Sequence, residues 1–283
     1  MKRFHFFFLV TLTALATACN QSQTGNPAGT GQPSDSIPTG QAEESSEAAH
    51  EIRFETTDTI AQFRLDSLNQ ESPCMNVEIH LETAAGTDAV AQNINTALLR
   101  QTANHLASTE ETLEGMLSHA GQEYKALLPD YRNELDEGYN TARYNHQITL
   151  TGKSSKGRQD IINYTIDYYE YTGGAHPNYQ TVLLNFDNQK GQRLQLSDVF
   201  QENALTPLKE RILNALGKQL GTTTLDEIND CGFFNIEDLQ PTENFLLEKD
   251  SIVFLYNIYE IAPYARGTTR IAVGYDDLKD LLK

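Results

Sequence analysis

Two short segments concentrate the side chains and the backbone freedom that recognition or catalysis requires. The first is Tyr171-Thr172-Gly173-Gly174-Ala175-His176-Pro177-Asn178. Gly173 and Gly174 permit positive φ or a close approach of backbone. Pro177 holds His176 in an extended conformation. The segment is either a tight connection in which His176 bonds nearby backbone, or a loop that presents an imidazole to a ligand. The second segment, residues 256–267, carries Tyr256, Tyr259 and Tyr264 with the charged side chains Glu260 and Arg266. Tyrosine joins an apolar ring to a polar tip, so it suits a core corner and a binding surface equally. Stacking on sugar rings is one use of such residues, although the chain has no tryptophan. If the two loops meet at one end of a sheet, His176 and Glu260 lie close in space.

No catalytic residue set is legible. Gly152-Lys153-Ser154 resembles the end of a phosphate-binding loop, but the first glycine of that motif falls on Gln147. The backbone N–H nest is therefore not encoded, and the segment reads as a hairpin turn. No two histidines lie three to five residues apart, so no short metal-binding motif exists and neither a metal nor a cofactor is expected. Nucleophile motifs of the G-x-S-x-G and S-x-x-K types are missing. A pair of distant carboxylates able to hydrolyse a glycoside remains open, because 39 acidic residues are spread along the chain.

Cys19 carries a different chemistry. Lys2 and Arg3 precede an apolar run over residues 6–18, which suits a signal sequence and is too short to span a bilayer. The run ends Leu15-Ala16-Thr17-Ala18-Cys19, similar to the bacterial lipobox, with Ala16 where leucine is commonest. That resemblance implies cleavage after residue 18, acylation of the Cys19 thiol and anchoring to a lipid bilayer. The alternative is an ordinary signal peptide with Cys19 incidental. Residues 19–50 are rich in Gly, Pro, Ser, Thr, Gln and Glu and read as a disordered tether. Its start is not acidic, which favours an outer-membrane lipoprotein facing the periplasm. Cys74 and Cys231 are then a candidate disulfide in an oxidising compartment, or two buried thiols.

The remaining text must position these loops. Val77, Ile79 and Leu81 alternate with Glu78, His80 and Glu82, the mark of a strand with one buried face. Thr87 or Asp88 caps a helix with Val90, Ile94, Ala97 and Leu98 on one stripe. Ser108 and Glu111 have the spacing of a capping box for the next helix, which Pro129 stops or kinks. Strands follow over 144–151, 160–171 and 179–186, with residues 152–157 as a turn and a fourth strand around Leu194. Ile162, Tyr164, Ile166 and Tyr168 share one face. A short helical turn at 197–200 precedes a helix over 202–219 bearing Leu205, Leu208, Ile212, Leu216 and Leu220, which Gly221 ends. Strands at 244–248, 251–256 and 269–274 and a last helix at 276–283 close the chain. This pattern specifies an α+β fold with a mainly antiparallel sheet and amphipathic helices packed on it. The expected organisation is a signal at 1–18, a tether at 19–50, a strand/helix subdomain at 51–142 and a C-terminal domain at 143–283.

The combination of tyrosine-x-Gly-Gly-Ala-His-Pro at 171–177, the turn Leu196-Ser197-Asp198-Val199-Phe200 and Tyr259-Glu260-Ile261-Ala262-Pro263-Tyr264-Ala265 resembles the RsiV-like C-terminal domain of unknown function, found in envelope proteins. In RsiV-type anti-sigma factors that region binds lysozyme. A similar region stands beside the catalytic domain of PdaC-type peptidoglycan deacetylases. This sequence has no sigma-binding segment, no transmembrane helix and neither the Thr-Phe-Asp-Asp nor the His-x-x-x-His motif of the deacetylase. The resemblance therefore implies the non-catalytic module. Its formal charge of −18 becomes −20 once Lys2 and Arg3 leave with the signal. Such a surface repels nucleic acid and attracts cationic partners. The expected partner is lysozyme or another cationic protein, with peptidoglycan as the alternative. An unrecognised envelope hydrolase ranks below both. The candidate binding residues are Tyr171, Gly173, Gly174, His176, Tyr259, Glu260 and Tyr264.

Overall fold

The computed structural model describes residues 52–283. The segments expected to be a signal sequence, a lipidation site at Cys19 and a tether lie outside these residues. The described residues fall within one compact unit, 47–283, built around two large hydrophobic clusters and a small third one of Leu183, Leu246 and Leu255. The fold is α+β, as the alternating periods require.

The first cluster lies under a five-stranded sheet of order β1-β2-β3-β4-β5. Its strands are β1 (Phe54–Arg64), β2 (Cys74–Ala84), β3 (His146–Lys156), β4 (Ile161–Tyr171) and β5 (Asn178–Asp187). All neighbours are antiparallel except β2 and β3, which are parallel. A parallel pair needs a crossover, and the helices α1 (Ala89–His105), α2 (Leu113–Lys125) and α3 (Leu128–Asp136) supply it. Val77, Ile79 and Leu81 of β2 meet Ile94 and Leu98 of α1 and Met116 of α2 in this core. Asp88 caps α1, its carboxylate accepting from the N–H groups of Val90 and Ala91.

The second cluster lies between a three-stranded antiparallel sheet and helix α5 (Leu205–Leu220). The strands are β6 (Phe245–Leu247), β7 (Ser251–Tyr256) and β8 (Thr269–Gly274), in that order. Leu208, Ile212 and Leu216 of α5 face Phe245, Phe254 and Ile271. Gly221 ends α5 at φ 72°, the left-handed cap expected of it. Three short helices, α4 (Leu196–Val199), α6 (Leu225–Asp230) and α7 (Tyr275–Leu278), complete this half.

Asparagine side chains join the halves. The outer backbone edge of β5 bonds to amides rather than to another strand. Thr181 N–H donates to Asn257 Oδ1 at 2.8 Å, and Leu183 N–H to Asn244 Oδ1 at 2.6 Å. Asn257 and Asn244 return their amide hydrogens to Thr181 O. In the opposite direction, Asn185 Nδ2 donates to Phe245 O and its Oδ1 accepts from Leu247 N–H, both at 2.8 Å. An edge that would otherwise invite another strand is thereby satisfied.

Several expectations are corrected. The second helix is capped by Thr112, whose hydroxyl accepts from Gly115 N–H, not by Ser108 with Glu111. Pro129 does not merely stop a helix but sits in the first turn of α3, where its missing N–H costs nothing. Residues 152–156 are strand rather than turn. A Cβ on Gly152 would come within 2.5 Å of the Tyr164 hydroxyl, because that ring passes beneath to donate to Glu82 O. The reversal comes later, where Gly157 N–H bonds Ile161 O and Gln159 takes φ 52°. Around Leu194 there is only an isolated bridge between Phe186 and Arg193. Leu205 is exposed, α6 was not expected, and the final helix is the single turn α7.

The division between halves also moves. Parallel pairing of β2 with β3 runs the first sheet straight through the expected boundary at 142/143. The cores separate instead between β5 and α4. Cys74 and Cys231 are unbonded thiols. Cys74 opens β2 in the first half, whereas Cys231 packs against the second cluster, so the fold keeps them in different halves.

Candidate functional site

Register builds the site. Tyr164, Ile166 and Tyr168 of β4 point into the first core, which sends Tyr169 and Tyr171 to the opposite face. Tyr169 stands directly across from Tyr179 of β5, and their rings meet edge-on at 5.4 Å between centroids. Tyr168 stacks on His105 inside the core.

The β4–β5 connection then folds beside this pair. Gly173 takes φ 83°, and a Cβ there would lie 1.8 Å from Arg143 O. Only glycine fits, because the loop presses on the chain just ahead of β3. A Cβ on Gly174 would make only an ordinary contact, 3.9 Å from His176 O, so the sequence pair contains one obligatory glycine and one permissive one.

The exposed His176 ring stacks on Tyr264, with centroids 3.9 Å apart and 28° between planes. Its Nδ1 lies 3.0 Å from Pro177 O. A carbonyl only accepts, so Nδ1 carries the proton, and Nε2 faces the second loop. Tyr259 Oη stands 3.5 Å from that nitrogen, at the outer limit of a hydrogen bond. Tyr264 Oη also donates to Pro177 O, at 3.0 Å. One carbonyl thus clamps both motif loops. Burial, followed by the neighbouring tyrosines, raises the Tyr264 pKa and keeps its phenol neutral.

Asn257 brings the second loop into place by bonding both backbone groups of Thr181. Beyond it Tyr259 adopts φ 67°, a left-handed conformation that is rare for an aromatic residue. Tyr259 N–H bonds Ala262 O and Glu260 N–H bonds Asn257 O, which hold the turn. The Glu260 carboxylate accepts from Asn257 N–H at 2.8 Å. The loops meet as expected, but the partners at His176 are Tyr259 and Tyr264, while Glu260 closes its own turn. Tyr171 ends β4 opposite Gln147 and makes no ring contact with the cluster among the described residues.

The result is a continuous aromatic patch of Tyr169, Tyr179, His176, Tyr264 and Tyr259, with Tyr264 within 6.4 Å of Tyr179 and 5.9 Å of Tyr259. Tyr259 is 56% and Tyr179 45% exposed. Sequence reading missed Tyr169 and Tyr179. The signal was present, since inward Tyr164, Ile166 and Tyr168 force Tyr169 outward. Three open clefts lie elsewhere, beside Ile52 and Lys156, beside Arg100 and Glu110, and beside Lys218. No group of three metal-ligating side chains lies together among the described residues.

Fold and site define an α+β module of two cores that displays a tyrosine–histidine surface. Comparison with known proteins agrees with that division. Residues 68–179 match the family model described as deacetylase PdaC, and residues 197–276 match a protein of unknown function, DUF3298. The two matches fall one on each core. The peptidoglycan-N-acetylmuramic acid deacetylase PdaC of Bacillus subtilis is 22% identical over 227 residues, covering 79% of this chain. This chain spans about half of that relative's length, 47%. A DUF3298 family crystal structure from Bacteroides fragilis superposes with a TM-score of 0.74 at 27% identity, covering 82% of this chain and 94% of the other. Another, from Pseudomonas aeruginosa, shares the fold at a TM-score of 0.56 and 15% identity, covering 82% and 95%.

Proposed function

We propose that this protein is a non-catalytic, lipid-anchored module of the cell envelope that captures a cationic protein such as lysozyme through the tyrosine–histidine patch. The observation that carries the reading is Tyr259, an exposed aromatic held at positive φ above His176 and Tyr264. Strain of this kind persists where a surface is pre-formed for a purpose. Tyrosine clusters of this type are the usual anchors of protein interfaces and accept Lys and Arg side chains over their rings. The strong negative charge of the chain steers a basic partner toward them. Cys19 is the proposed anchor, on an outer membrane facing the periplasm. No helix among the described residues is long and apolar enough to cross a membrane.

Calorimetric titration of residues 47–283 with a c-type lysozyme tests this at low and at physiological salt. Saturable binding at physiological salt, weakened at least tenfold by Tyr259→Ala, is the expected outcome. Binding confined to low salt, or unchanged by Tyr259→Ala, overturns it. A second reading is peptidoglycan binding. It is favoured by the exposed rings of Tyr179 and Tyr259 and by likeness to a deacetylase named for peptidoglycan. It predicts co-sedimentation with purified sacculi that Tyr259→Ala and Tyr179→Ala abolish.

A further inference from the structure

The two outer edges of the five-stranded sheet are treated differently. Asparagine side chains occupy the β5 edge. β1 forms the other edge, and among the described residues no strand pairs with its outer side. It is 11 residues long, without proline or glycine, and pairs with β2 along its whole length. The devices that commonly blunt an edge are a short strand, proline, a bulge or charged side chains, lysine above all. β1 is long, unbulged and without proline or lysine, and its charged side chains are Glu55, Asp58 and Arg64. It also exposes Ile60, at 71% one of the most exposed large apolar side chains of the described residues.

The strand is also complementary to itself. Two antiparallel copies can be related by a twofold axis only if opposing residues share a face, so paired residue numbers must sum to an even value. Centring the axis on Ile60 sets Ile60 against its symmetry mate, and Thr57 against Phe63. It also brings Asp58 diagonally beside Arg64 of the second copy, within reach of a guanidinium. Nine residues of each strand then pair, a ladder roughly 30 Å long.

We infer that β1 is a self-association edge, on which a second copy of this chain adds antiparallel about Ile60 to form a continuous ten-stranded sheet. The dimer satisfies the outer N–H and C=O groups of β1, covers both copies of Ile60 and places opposite charges near each other. The patch at Tyr259 is carried by the opposite end of the strand order, on the β4–β5 connection and the loop after β7, so each copy keeps its own patch. Both copies carry strong negative charge, so salt tightens the dimer by screening their repulsion. That trend is opposite to the one expected for capture of a cationic partner.

Sedimentation equilibrium of residues 47–283, at low and at physiological salt, tests this. The expected result is a concentration-dependent dimer that tightens with salt. Ile60→Lys sets two ammonium groups face to face and raises the dissociation constant by about tenfold or more. Because Ile60 is exposed, this change leaves the thermal midpoint of the monomer in place. Ile60→Cys forms an intermolecular disulfide between the two introduced cysteines under mild oxidation, identified by peptide mapping, whereas Leu68→Cys, on the loop beyond β1, does not. A monomer at every concentration and salt overturns the inference. So does a dimer that Ile60→Lys leaves intact.

Discussion

Replacing Asn185 with alanine tests the joint between the two halves. Asn185 is 1% exposed and makes two bonds of 2.8 Å, donating to Phe245 O and accepting from Leu247 N–H. Both backbone groups belong to β6, the first strand of the second sheet, and water cannot reach them while the halves stay together. Asn185→Ala therefore strands one buried donor and one buried acceptor. Each costs about 1–3 kcal/mol, so the expected loss of stability is about 2–6 kcal/mol. With a urea dependence of roughly 2–3 kcal/mol per molar, the midpoint falls by about 1–2 M. The assay is urea unfolding followed by circular dichroism, since the chain has no tryptophan to report by fluorescence. Asn185→Asp sharpens it. The ionised carboxylate accepts from Leu247 N–H but cannot donate to Phe245 O, whereas the protonated acid does both. Burial raises the pKa of the new group, so the stability it contributes is present at low pH and lost as pH rises through the folded value. Relative to the natural protein at each pH, this variant recovers on acidification. A midpoint shift below about 0.3 M for Asn185→Ala would show that the amide bridges do not hold the halves together, and the account of the β5 edge would fall with it.

Gly173→Ala brings a Cβ against Arg143 O at positive φ and lowers stability by about 2 kcal/mol or more, read as a fall in thermal midpoint, while Gly174→Ala is near neutral. Tyr259→Gly separates strain from recognition: it relieves the positive φ, so the thermal midpoint is unchanged or higher, while calorimetry shows lysozyme binding weakened at least tenfold. Burial lowers the pKa of His105, whose Nε2 is buried and has no hydrogen-bond partner among the described residues. The unfolded chain therefore binds the proton more tightly, and stability is lost as pH falls from about 6.5 through the folded value. His105→Phe flattens that slope in urea midpoints measured across pH. The hydrogen bonds from Arg132 lower the Asp66 pKa, so their contribution is full above about 3.9 and disappears as pH falls through the folded value. Arg132→Ala moves the acid-unfolding midpoint upward.

Local chemistry alone determined a good part of this protein. Alternation at Val77, Ile79 and Leu81 specified a strand with one buried face. The apolar stripe at Leu208, Ile212 and Leu216 specified α5, and Gly221 specified its end. These patterns depend on a few residues in a row, and a strand or helix must bury its apolar side whatever lies beyond it. The two motif loops were legible for a similar reason, because a Gly-Gly-Ala-His-Pro run and a cluster of tyrosines are unusual by composition.

Only the tertiary structure decided which of those residues meet. Gly173 is obligatory because the chain before β3 passes 1.8 Å from where its Cβ would be, and Arg143 is 30 positions away. His176 meets Tyr259 and Tyr264 rather than Glu260 because Asn257 fastens the second loop to β5 and Glu260 closes that turn. Parallel pairing of β2 with β3 moved the division between the halves, and Cys74 and Cys231 stand as unbonded thiols in different halves. Periodicity reports which face of an element is apolar, but it carries no information about which element will cover that face. Register, crossover and side-chain amides that substitute for a missing strand are long-range bonds, and they are fixed only when the whole chain has packed.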